Sequence, residues 1–281
     1  MKRFKGCVLQ GGNLPSARMQ SVLSIAGSDP TGGAGILADC QVFQAHGVHG
    51  AAVPTALTIQ DGLRVKQVLP VFPSALLDQL RVTLAAVSPA AIKIGMLGSD
   101  DVVRNVILAL APFRRDIPVV IDPVLASTDG TLLLQPRAYR SLRDLMTGRT
   151  LITPNWHEAE ILTDLSLDRR RDGEKAAHQL LEELGVEGVL LKGGHIEGNP
   201  ADFFVTKDAA SGEIVSEWME GERIPGEPVH GTGCALSASI AAQLAQGVAL
   251  REAIVAARSF VRSGIEGAHT LPNGARLLAF S

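Results

Sequence analysis

Short apolar runs alternate with helix-spaced segments along most of this chain, and nearly every run stops at glycine or polar residues. Residues 21–26, 51–57, 62–71, 91–95, 118–122, 151–153 and 188–192 read as strands. Several are continuous apolar stretches, as a sheet covered on both faces requires. Between and after them, residues 36–43, 73–87, 100–110, 174–184, 233–246 and 249–266 carry apolar side chains at helical spacing. Residues 202–206 and 213–217 read as a late hairpin around a turn at 208–212. Alternation of this kind predicts a three-layer α/β/α sandwich with a largely parallel central sheet and right-handed crossovers. Neither an internal repeat nor a linker interrupts residues 21–281, so one domain is expected, preceded by an extension over residues 1–20.

Ligands of such sheets bind beyond the carboxyl ends of the strands. Six clusters follow predicted strands here: residues 27–35, Gln60, Gly95–Met96, Asp122, Asn155–Glu158 and Lys192–His195. They are expected to converge on one sheet edge. The remaining composition narrows the partners. With 4% aromatic residues, a net charge of −3 and no basic block, nucleic acid is excluded as the main partner. Nowhere do 18 uninterrupted apolar residues occur, so no membrane span is expected. Cys7, Cys40 and Cys234 are odd in number and far apart, which reads as free thiols in a reducing, cytoplasmic compartment.

The segment His230-Gly-Thr-Gly-Cys234 leads directly into an alanine-rich helical run. Glycines let backbone N–H groups turn toward a ligand, and a helix N-terminus adds unpaired donors and a positive dipole end. Gly231, Thr232, Gly233 and Cys234 are therefore a candidate anion cradle, with the Cys234 thiol expected to have a lowered pKa. The same residues equally suit a glycine turn that opens a buried helix. The other clusters have bland alternatives too. Residues 27–35 match neither a Walker A loop nor a dinucleotide fingerprint and could be a plain strand-to-helix turn. Asp39 could be a solvated helix carboxylate. Asp122 either ends a strand or is placed to hold magnesium. Asn155 and Glu158 share a helix face, as a cap and first-turn acid would. Lys192-Gly-Gly-His195 offers a cation and free backbone for phosphate. His46, His49, His157, His178 and His269 form no metal-ligand pattern.

In chain order, residues 25–39 (IAGSDPTGGAGILAD), 55–60 (TALTIQ), 93–99 (KIGMLGS), 121–124 (IDPV), 153–162 (TPNWHEAEIL), 192–195 (KGGH) and 230–234 (HGTGC) resemble the hydroxymethylpyrimidine and phosphomethylpyrimidine kinases of thiamine biosynthesis, within the ribokinase-like superfamily. That resemblance implies ATP-dependent phosphorylation of a pyrimidine hydroxymethyl group, with Mg2+ and ATP required and a homodimer expected. It implies that Ala34, Asp39, Gln60, Met96 and Val124 line the pyrimidine pocket, where the Gln60 amide meets the heterocycle edge. Asn155, Lys192 and Gly194 would serve the nucleotide, and Asp122 and Glu158 the metal. Residues 231–234 would hold the transferring group, with Cys234 as base where many superfamily relatives carry aspartate. Four stretches depart from the family pattern. No lysine lies within 125–130, Val229 precedes the 230–234 motif, Asp61-Gly62 follows Gln60, and residues 269–281 replace a glycine-rich ending. These departures bear on whether the monophosphate is also accepted. A pyridoxal-type kinase and a non-catalytic pyrimidine binder stay open as alternatives.

Overall fold

Among the described residues, nine strands form one sheet in the order β3-β2-β1-β4-β5-β6-β7-β8-β9. They are β1 (Ser21–Ser28), β2 (His49–Gln60), β3 (Val65–Pro70), β4 (Ala91–Ile94), β5 (Val119–Ile121), β6 (Leu151–Ile152), β7 (Gly188–Leu191), β8 (Ala201–Lys207) and β9 (Ile214–Glu220). The computed structural model describes residues 19–113, 117–127, 129–194, 198–208 and 211–280. All but the last two residues of the expected N-terminal extension, together with Cys7 and His195, therefore lie outside the described residues. Strands β2, β1, β4, β5, β6 and β7 run parallel, and antiparallel β3, β8 and β9 finish the two edges.

Among the described residues, eight α-helices cover the sheet: α1 (Gly35–Ala45), α2 (Pro73–Val87), α3 (Asp100–Leu110), α4 (Tyr139–Met146), α5 (Trp156–Thr163), α6 (Arg170–Leu184), α7 (Thr232–Ala245) and α8 (Leu250–Glu266). The period-two alternation of strand side chains sorts them into two cores. Leu23, Ile92, Ile121, Ile152 and Val189 pack with α2 to α6 on one face. Val22, Ala91, Val120, Leu151 and Leu190 pack with α1, α7 and α8 on the other. The predicted three-layer arrangement is thus the observed one. No helix among the described residues is long and apolar enough to cross a membrane.

Four details differ from the sequence reading. β2 runs through Gln60, so that residue ends a strand rather than following one, and β3 begins at Val65, not at residue 62. α4 was not expected. Nor was the two-stranded ribbon of β10 (His269–Thr270) and β11 (Arg276–Leu277), which reaches back to the cradle through a bridge between Leu277 and His230.

Candidate active site

The 14-residue helix α7 begins without a capping side chain: Gly231 at its N-cap has φ +84°. The Ala235 N–H bonds the Gly231 carbonyl. The N–H groups of Thr232, Gly233 and Cys234 lie in the first turn, where a helix offers no intrahelical acceptor. Only glycine fits at 231, because a Cβ there would sit 1.8 Å from the Gly33 carbonyl oxygen. The cradle thus rests on the β1–α1 loop. His230 Nε2 adds a second link, 2.8 Å from Asp29 Oδ2, while the Thr31 N–H and hydroxyl both donate to Asp29. Burial works against the Asp29 carboxylate, but these bonds hold it below its usual range.

Beneath the cradle runs a row of polar side chains on the α7 face of five adjacent strands. Ser24, Lys93, Asp122, Thr153 and Lys192 each lie two residues beyond a member of the core packed on α7. The charges alternate. Lys93 Nζ donates to both oxygens of Asp39, at 2.9 and 2.8 Å, and Ser24 Oγ donates to Asp39 at 2.5 Å. Lys192 Nζ donates to Asp122 Oδ1 at 2.5 Å, and Thr153 donates to the same oxygen at 3.2 Å. A Cβ on Gly233 would lie 3.2 Å from Lys192 Nζ, so this ammonium reaches the cradle. Burial opposes the Lys192 ammonium, yet Asp122 and Glu158 hold it above its ordinary value.

Asn155 and Glu158 form a reciprocal capping box at the start of α5. Asn155 Oδ1 accepts from the Glu158 N–H at 2.8 Å, and Glu158 Oε2 accepts from the Asn155 N–H at 2.7 Å. The cap reading of this pair is therefore correct, and the pair also lines the cleft beside Lys192. Burial pushes Glu158 up to about 7; Lys192 opposes the rise and Asp122 adds to it.

One cleft of about 850 Å³ joins these groups. Ala34, Gln60, Met96, Val124, Asn155, Glu158, Lys192, Gly194 and residues 231–234 all line it. Gln60 uses one amide hydrogen on Thr58 Oγ1, at 2.7 Å. Met96 packs over Gly27, where a Cβ would lie 2.8 Å from its sulfur, and joins Ala56 and Leu133 in a small apolar cluster. Two expectations need correction. Asp39 is neither solvated nor part of the pocket wall: it is fully buried, with its oxygens taken by Lys93 and Ser24. The Cys234 thiol is not lowered but raised. Burial is the main cause, and Asp122 and Asp39 add to it, while Lys93 and the Gly35 N–H oppose. The helix dipole is outweighed by desolvation and two carboxylates.

Sequence reasoning missed Lys93, and it missed Arg223, Val255, Ser259 and Arg262, which also line the cleft. In the sequence Val255 is one more apolar residue of a helical run, and only the fold shows it 42% exposed on α8.

A cleft lined by a glycine-rich helix N-terminus, a lysine, two buried acids and apolar side chains suits phosphoryl transfer between two small molecules, and kinases are the class to which this fold and site point. The family model for phosphomethylpyrimidine kinase matches residues 29–278, and the chain belongs to that family. A hydroxymethylpyrimidine/phosphomethylpyrimidine kinase of Mycobacterium tuberculosis is 35% identical over 261 residues, covering 92% of this chain and 93% of its own. Among solved structures, an ADP complex of Bacillus subtilis pyridoxal kinase superposes with a TM-score of 0.83 at 31% identity, covering 94% of this chain and 98% of its own. A phosphomethylpyrimidine kinase from Clostridium difficile 630 gives 0.75 at 32% identity, with 88% and 99% covered.

Proposed function

We propose that the protein transfers the terminal phosphoryl group of ATP to the hydroxymethyl group of 4-amino-5-hydroxymethyl-2-methylpyrimidine, for thiamine biosynthesis in the cytoplasm. The observation that carries this reading is the seat of Cys234. Its backbone belongs to the cradle, and its sulfur accepts from the Gly35 N–H beside the acceptor pocket. The acceptor ring would lie among Ala34, Met96 and Val124, with the Gln60 amide at its polar edge, where donors and an acceptor are both on offer. Asn155 and Gly194 would flank the nucleotide, and Lys192 would neutralise its phosphates.

The residues fit a magnesium ion carried in on the phosphates. No group of three or more His, Cys, Asp or Glu among the described residues could hold a metal alone. Glu158, with a raised pKa and Asp122 near it, is nevertheless a buried acid that a cation would satisfy. Mg2+ commonly binds through one or two carboxylates plus substrate phosphates, and Asp122 and Glu158 would supply them. Bound there, it would neutralise charge on the phosphate oxygens. The chain's own residues do the rest. The cradle N–H groups receive the equatorial oxygens, and Cys234 as thiolate accepts the hydroxyl proton as oxygen attacks phosphorus and the bond to ADP breaks.

Pyridoxal also presents a hydroxymethyl group on a flat heterocycle, and the pyridoxal kinase superposition makes it the competing acceptor. ADP release with Mg·ATP is expected on hydroxymethylpyrimidine, with its monophosphate and pyridoxal assayed separately. Turnover on pyridoxal alone would move the assignment to vitamin B6 salvage. Pyrimidine binding without turnover on any acceptor would leave a binding protein.

A homodimer belongs to the same proposal. Leu57 and Leu69 face each other across the β2–β3 pair, 54% and 42% exposed, and Ile59 lies beside them on the same outer face. An apolar hairpin face of this kind is suited to a second copy of itself. Sedimentation velocity showing only monomer at micromolar concentration would exclude it.

A further inference from the structure

Three cations on the cleft wall are answered by acids: Lys192 by Asp122, Arg258 by Asp202, and Arg262 by Glu222 and Glu266. Arg276 on β11 lines the same cleft, and among the described residues it forms no ion pair, although Glu227 is close by. Its guanidinium makes one hydrogen bond among those residues, from Nη1 to the Glu227 carbonyl at 2.6 Å. Nε and Nη2 are left unmet by them. The mechanism above gives this arginine no task.

The guanidinium is seated, not loose. Gly226 has φ +129°, and a Cβ there would lie 2.9 Å from Arg276 Nη1, so glycine makes the room. The main chain of Arg276 grips the residue before the cradle: its carbonyl accepts the His230 N–H at 2.8 Å, and Leu277 bridges His230. His230 adjoins Gly231, the N-cap of α7. The ribbon is anchored at its turn, where Asn273 Nδ2 donates to the Asp61 carbonyl at 2.8 Å. A Cβ on Gly62 would meet the Ala275 side chain at 3.2 Å, and Leu278 is buried in the core packed on α7. Two stretches that depart from the family pattern, Asp61-Gly62 and residues 269–281, thus touch each other, and together they hold an arginine in the cleft. A charged fork with two nitrogens unmet, held beside a helix N-terminus, is a recognition group for phosphate. We infer that Arg276 is a phosphate-binding residue of this cleft, adding a side-chain cation to the backbone donors of residues 231–234. The phosphate is either the terminal one of the nucleotide or one already carried by the acceptor. Because the seat is formed in advance, little side-chain freedom is lost on binding.

The test is calorimetric binding of three ligands, each without a reaction partner: AMP-PCP with Mg2+, hydroxymethylpyrimidine monophosphate, and uncharged hydroxymethylpyrimidine. Arg276→Gln should weaken one or both phosphate-bearing ligands by about tenfold or more, the usual worth of a hydrogen bond to a charged group. The uncharged pyrimidine should hold within about twofold, which a general loosening of the site would not allow. A loss on AMP-PCP assigns the phosphate to the nucleotide, and a loss on the monophosphate assigns it to the acceptor. Arg276→Lys keeps the charge without the fork and should fall between the two, with a deficit that shrinks as salt is raised. Unchanged affinity for both phosphate ligands, or an equal loss on the uncharged pyrimidine, would overturn the assignment. The choice of ligands rests on the kinase reading, but binding needs no turnover. A wild type inactive on every acceptor, yet dependent on Arg276 for phosphate, would fault that reading and spare the arginine. An active wild type without that dependence would do the reverse.

Discussion

Cys234→Ala is expected to lower kcat by about 10²–10⁴-fold, the usual worth of a positioned acid–base group, with pyrimidine affinity by calorimetry little changed. The thiol is removed from the cleft, whereas the cradle N–H groups and Lys192 remain. Residual turnover should reflect their electrostatic stabilisation alone. The pH dependence makes the prediction sharper. Burial, Asp122 and Asp39 hold the wild-type thiol above its ordinary range, so thiolate is scarce at neutral pH. Wild-type kcat should therefore keep climbing on the alkaline side, and the alanine variant should lose that climb. An alanine variant within about threefold of wild type, well short of the usual general-base effect, would remove Cys234 from the role of base.

Glu158→Gln should have the next largest effect, in opposite directions for activity and stability. Glutamine retains the capping-box bond to the Asn155 N–H but not the charge that would face magnesium and phosphate, so kcat should fall about 10²-fold or more. The folded-state pKa of Glu158 is about 7, raised from 4.5. Between those values the native state binds more protons than the unfolded chain, so wild-type stability from this group declines as pH rises. Above pH 7 the penalty is fully present, on the order of 3 kcal/mol, and below pH 4.5 it vanishes. Urea unfolding at pH 5 and pH 8 should show the glutamine variant gaining on wild type at the higher pH. The gain is reduced by whatever Lys192 loses. A stability difference that stays flat between pH 5 and pH 8 would mean that Glu158 is already ionised in the folded protein at pH 5.

Much of the architecture was legible because the parallel strands, buried on both faces, are written as apolar runs, and their ends as polar clusters. Where that signal thins, so did the reading. β10 and β11 are two residues each and carry no period, and α4 has only eight residues. Gln60 was placed after its strand because Leu57 and Ile59 point outward on a hairpin whose inner face is Ala56 and Thr58. In the site, clustering brought Gln60, Met96, Asp122, Asn155, Glu158 and Lys192 to one cleft, but not Val255 or Arg262, and not which charge sits beside which. An acid four residues into a helix reads the same whether solvated or buried, and the lysine that decides Asp39 lies 54 positions away. The thiol was misjudged for a related reason. A helix N-terminus is local and visible, whereas the carboxylates that oppose it come from α1 and from the end of β5.

The seat of Gly231 on the Gly33 carbonyl, seconded by His230 on Asp29, has a geometric consequence. In the proposed reaction the span between the hydroxyl to be phosphorylated and the incoming phosphate would be gauged by two pieces of main chain in contact, not by any side chain that touches the acceptor ring. On the proposed assignment Gln60, Met96 and Val124 face the ring, and they could then be exchanged for other residues without recalibrating the reaction distance. A scaffold gauged in this way lets acceptor choice drift between pyrimidine and pyridine rings while the transfer geometry stays put.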